Sequence, residues 1–154
     1  MASQLAVMGP LGGEMPTIEF LVIANHAEAR EGLLYLSGAC WSDVWRTTAP
    51  GGSPPITHFG VGVAVAVPWG ETNRRHHLVV RIEDEDGKEI TRVEGDLELG
   101  RPVGIPPGSD QRAVVAMNAD LVFPGPGGYR LVAEVGEDRR AVSFRVHDGP
   151  QPRA

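Results

Sequence analysis

The chain has one cysteine, one lysine and no long apolar run, and each shortage excludes something. A single cysteine, Cys40, leaves no intramolecular disulfide to staple the fold. A chain of 154 residues needs none, because at this length roughly 70% of the unfolded surface can be buried in one core. No run approaches the ~20 apolar residues of a membrane helix. The first twenty residues also lack the basic start and apolar stretch of a secretory signal. A soluble, cytoplasmic protein with no membrane partner is the expectation. Positive charge is short too: 14 Lys and Arg stand against 20 Asp and Glu, for a net charge of −6. Phosphate-backbone binding depends on a positive field, so no nucleic-acid partner is expected. Lys88 is the only lysine, and with abundant Gly, Ala, Val and Pro this reads as the codon usage of a GC-rich bacterial genome.

What is present is β-strand periodicity punctuated by Pro and Gly. Residues 1–14 show no sustained period and predict a flexible N-terminal extension, with Met15 the expected start of the domain. Thr17 to Ala24 is too apolar for strict alternation and predicts a strand buried on both sides, or an edge-paired strand under a loop. Asn25 to Gly32 is polar and reads as a loop closed by Gly32. Leu33 to Cys40 reads as the second strand, followed by a Trp-rich segment and a long loop through Pro50–Pro55. Ile56 to Pro68 alternates Phe59, Val61, Val63, Val65 and Val67 with Gly60, Gly62, Ala64 and Ala66. A β-branched face opposite a face of tiny residues predicts a central strand closely covered on its small side, by a loop or by another protein.

Arg75 to Asp84 and Ile90 to Leu99 form a hairpin about Asp86-Gly87, since Asp-Gly supplies the positive φ of a tight turn. The second arm, with Glu94, Asp96 and Glu98, reads as an edge strand with a solvated acidic face. Gln111 to Phe123 alternates and delivers the chain to the corner Pro124–Gly128. Strands from Tyr129 to Val135 and from Ala141 to His147 then form a half-buried hairpin. Tyr129 follows a Gly-rich corner, where immunoglobulin-like sandwiches bury a phenol ring and bond its hydroxyl to nearby backbone. The prediction is all-β: a single immunoglobulin-like antiparallel β-sandwich of seven to eight strands over residues 15–148, with a short tail at 149–154.

Two patterns, MPTIEFLVIANHAEAREGLLYLSGACWSDV and ADLVFPGPGGYRLVAEV, carry a resemblance to a family of small bacterial proteins defined only as a domain of unknown function. The resemblance spans roughly Met15 to Val146 and implies an immunoglobulin-like sandwich. Its motifs are patterns of fold, so it transfers no functional residue.

Catalytic and metal motifs are weak. Among His26, His58, His76, His77 and His147 no pair has the spacing of a zinc helix, and His76 and His77 must point to opposite faces of a strand. The acids Glu83–Asp86 lack calcium-loop spacing and read as a solvated hairpin tip. Cys40 and Ser42 have no nucleophile elbow, and Cys40 reads as a small buried hydrophobe. Gly125, Gly127 and Gly128 lead into a strand rather than a helix, so they form no phosphate loop. The expectation is therefore no cofactor, no metal and no catalysis.

Trp41, Trp45 and Trp69 lie at strand ends or in loops, where they either cap the sandwich or serve function. With Asp43 and Arg46 they make the candidate interaction set, because Trp and Arg anchor protein interfaces. The functional expectation is a non-catalytic interaction or scaffold module that binds a protein partner or its own copy, through a sheet edge or the loop from Cys40 to Pro55. The alternative is a small-ligand or carbohydrate-binding domain, since Trp faces also stack on sugar rings.

Overall fold

The computed structural model describes residues 15–48 and 50–153; the expected N-terminal extension lies outside them. Nine strands follow one another: β1 (Thr17–Arg30), β2 (Leu33–Ala39), β3 (Asp43–Arg46), β4 (Thr57–Val67), β5 (Arg75–Asp84), β6 (Glu89–Glu98), β7 (Gln111–Leu121), β8 (Gly127–Val135) and β9 (Asp138–Asp148). They form two sheets, one in the order β2-β1-β4-β7 and the other β3-β9-β8-β5-β6. The sandwich follows from the alternation. Val61, Val63, Val65 and Val67 of β4 share a core with Leu78, Val80 and Ile82 of β5, Leu131 and Ala133 of β8, and Phe144 and Val146 of β9. At ~1.5–3 kcal/mol for each fully buried large aliphatic side chain, such a core holds without a disulfide. Among the described residues, no helix is long and apolar enough to cross a membrane.

Three local expectations need correction. The polar segment after Ala24 is strand, not loop: β1 runs on to Arg30 and turns only at Glu31 and Gly32, both with positive φ. Its first part pairs with β4 and its second part with β2. Its polarity reflects a strand largely in water on both faces, with Ala27 alone buried between Asn25 and Arg30. The second correction is β3, four residues too short to show a period, which pairs parallel to β9 from Asp43↔Arg145 to Arg46↔Asp148. Among the described residues the count is therefore nine rather than seven or eight, with one parallel pair among antiparallel ones. The third is Cys40, which is exposed at the end of β2 in a left-handed conformation (φ 67°), with its N–H donating to the Ile23 carbonyl at 2.8 Å.

The cover over the small face of β4 is the chain's own β1–β2 hairpin. A Cβ at Gly60 would lie 3.0 Å from the His26 backbone, and one at Gly62 would lie 2.9 Å from the Leu34 and Leu36 methyls. Asn118 of β7 clamps the hairpin: its amide Nδ2 donates to the Ala27 carbonyl at 2.7 Å, and its Oδ1 accepts the Ala27 N–H at 3.0 Å. The corner forms as anticipated. Tyr129 is buried and its hydroxyl donates to the Gly125 carbonyl at 2.6 Å, with Phe144 stacked on its ring at a centroid distance of 5.7 Å.

Candidate functional site

Four of the five candidate interaction residues meet along β3 and the end of β9, and their side chains are engaged within the fold. Trp41 packs edge-on against Phe59 at 5.4 Å and Phe144 at 5.9 Å, closing one end of the core. Its indole N–H is buried with no acceptor among the described residues. Arg46 donates to the Phe123 carbonyl at 2.6 Å and to Asp148 at 2.7 Å, fastening β3 to the corner; its side chain is 9% exposed. Trp45 stacks on His147 at 4.8 Å. Asp43 accepts from Arg145 at 2.8 Å and from His147 Nε2 at 2.8 Å. The Arg145 bond, then that from His147, holds its carboxyl below the usual range. Trp69 stands apart. It follows the far end of β4, whose Phe59 end carries Trp41, so roughly 25 Å of strand separates them. The Arg101 guanidinium lies over the Trp69 ring at 4.3 Å, a cation–π contact. The tryptophans thus form no common platform.

Beside the β3 cluster, the outer face of the five-stranded sheet holds a polar cleft of about 370 Å³ lined by Ser42, Glu85, Arg130, Ser143 and Arg145. Arg130 donates from Nη2 to Glu83 at 2.9 Å, whereas its Nε is buried without a partner among the described residues. The histidine contacts run to oxygen acceptors rather than to nucleophiles: His58 to Asp120, His76 to the Glu71 carbonyl, His77 to Asp96 and His147 to Asp43. Among the described residues no group of three or more His, Cys, Asp or Glu could hold a metal ion.

The feature that periodicity missed is the side of the sandwich between β6 and β7, each the last strand of its sheet. The register Val80↔Val93 and Leu78↔Gly95 turns Val93 and Gly95 toward the interior. Yet Val93 is 52% exposed where its neighbour Val80 is 5% exposed. A Cβ at Gly95 would meet nothing within 4 Å. The opposite wall is β7, whose inward Val115 and Met117 are only half-buried. An apolar groove of about 170 Å³ results, floored by Leu78 and Val80, and a smaller one of about 60 Å³ continues it toward Thr91 and Leu121. The five-stranded sheet thus reaches further than the sheet above it on this side. One signal for this was legible, in that Arg101–Asp110 contains no strand-length run to cover β6.

No curated protein is significantly similar to the chain. Among solved structures, a β-glucuronidase from glycoside hydrolase family 2 is similar over 58% of this chain at 17% identity, with a TM-score of 0.39; the chain spans 10% of that enzyme's chain, and the likeness is too slight to bear on role. A family model, by contrast, matches residues 19–147, from β1 through the end of β9. With both sheets inside that match, the chain belongs to the Family of unknown function (DUF6941).

Proposed function

We propose that this domain is a non-catalytic protein-interaction module whose partner docks on the open side between β6 and β7. The carrying observation is the groove itself: core-facing side chains, Val93 above all, stand half in water beside two unpaired strand edges. Folded proteins normally cover or charge such edges, and a long uncovered one is a surface for strand pairing. The immunoglobulin-like reading of the sandwich is supported by the parallel β3–β9 pair and the Tyr129 corner. A cytoplasmic, bacterial setting agrees with the single cysteine and the arginine bias. A photo-crosslinking residue at Val93 tests the proposal. It should trap one discrete partner in the native cell, while the same residue at Tyr35 on β2 should not. Equal labelling from both positions would sink it.

The small-ligand reading keeps one observation in its favour, the 370 Å³ cleft that Arg130 and Arg145 line together. Two guanidinium groups in one cleft suit a carboxylate. The cleft counts against a sugar platform, because no tryptophan lines it. Titrating a panel of small carboxylates and following the Arg130 and Arg145 side chains by NMR separates this reading from the first.

A further inference from the structure

Resting on that interaction reading, we infer that the open side accepts one extended segment of a partner chain, paired edge-on to β7, with alternate apolar side chains in the groove and lysine or arginine at its flanks. Strand pairing is the form that suits β7. Its free edge runs 11 residues, contains no proline, and between Arg112 and Asp120 carries no charge. Arg112 and Asp120 are themselves held within the fold, by Glu19 and His58. An added strand would satisfy the outward N–H and C=O groups of β7 and lie above β6, where Gly95 leaves room for its inward side chains.

A second copy of this domain does not fit the same place. Two copies paired β7 to β7 would lie on the same side of the joined sheet. Each would push its own β6 into the space under the partner's β7, because β6 reaches beyond β7 in both. A single strand brings no second sheet with it. The charge of the occupant follows from the rim. β6 carries Glu89, Glu94, Asp96 and Glu98 against Arg92 alone; Glu94 and Asp96 border the groove, with their side chains on the outer face of the sheet beside His77. Arg75 answers Glu98 at 3.7 Å and His77 answers Asp96 at 2.9 Å, which still leaves the rim negative. A cation-flanked segment is attracted there and an acid-flanked one repelled.

The probe is a nine-residue peptide alternating valine and threonine, with lysines at both ends, compared with the same peptide ended in glutamates. Binding to the full chain is followed by titration and by amide exchange. The lysine form should bind at least about tenfold more tightly at low salt, lose that advantage at high salt, and slow exchange at alternate amides of β7. Gly95→Val fills the groove from within without a steric conflict, so it should not lower the unfolding midpoint and should weaken the peptide about tenfold. Equal affinity for both peptides, unchanged binding to Gly95→Val, or β7 edge amides already slow in the peptide-free protein would each overturn the inference. The last outcome would mean that the chain itself or a second copy fills the edge. A discrete partner trapped at Val93 with no peptide bound would refute strand addition and leave the interaction reading standing.

Discussion

The two long sides of this sandwich are built from the same kinds of residue and finish differently. On one side β1 closes against β8 and β9: the Ile18 N–H donates to Asp138 at 2.6 Å and Arg140 donates to the Glu19 carbonyl at 3.2 Å. The same strand then carries the hairpin that covers β4. On the other side β6 and β7 end their sheets with nothing between them among the described residues. Glycine marks both places with opposite effect. Gly60 and Gly62 let a second layer approach β4, whereas Gly95 sits under open space. Strand glycines thus signal close packing only where something packs.

The largest expected effect breaks the comparison at the core. Phe144, in contact with Trp41, Phe59, Phe123 and Tyr129, should cost ~3–5 kcal/mol on replacement by Ala in urea unfolding. Val93→Ala, on the open side, should cost no more than about 0.5 kcal/mol. If the two losses were similar, β6 would be covered in solution. The glycines sharpen the contrast. Gly60→Ala forces the hairpin off the His26 backbone and should destabilise by ~1–3 kcal/mol, while Gly95→Ala should stabilise by roughly 0.5–1 kcal/mol through lower unfolded-chain entropy. Next in size is the corner: Tyr129→Phe keeps the ring and loses the bond to the Gly125 carbonyl, for ~0.5–1.5 kcal/mol.

The smallest effect distinguishes the two edges of the five-stranded sheet by pH. Asp43 fastens β3, and its carboxyl lies below its ordinary 3.8 because of Arg145 and then His147. Its contribution is complete above the unfolded value and fades as pH falls through the lower folded one. His77, bridging β5 to Asp96 on β6, lies above its ordinary 6.5, chiefly through that Asp96 bond. Its contribution is complete below the unfolded value and fades as pH rises through the higher folded one. Melting curves of Asp43→Asn should therefore begin to approach the parent only as pH falls below ~4, and those of His77→Gln only as pH rises above ~6.5. Parallel curves across the range would show that neither contact matters to folding.

Much of the fold was legible because burial acts on neighbours two residues apart. The alternation in β4 announced both a core face and a covered face, and the Gly-rich approach to Tyr129 announced the corner. The candidate site was legible only in part. Trp41, Asp43, Trp45 and Arg46 do gather, but as the fastening of β3, whose four residues are too few to carry a period. Asn25–Arg30 misled because polarity alone cannot separate a loop from a strand that is solvated on both faces. Cys40 misled because a residue type that is usually buried was placed by a turn at the surface.

By itself the sequence determined the all-β class, most strand positions and the faces each strand turns inward, since these depend on period and turn chemistry within a few residues. The tertiary structure alone decided that the hairpin covers β4, that Trp69 lies apart from the other tryptophans, and that β6 outreaches β7. Those outcomes depend on strand order and on contacts between residues dozens of positions apart, and no local pattern encodes which edge of a sheet is left without a neighbour.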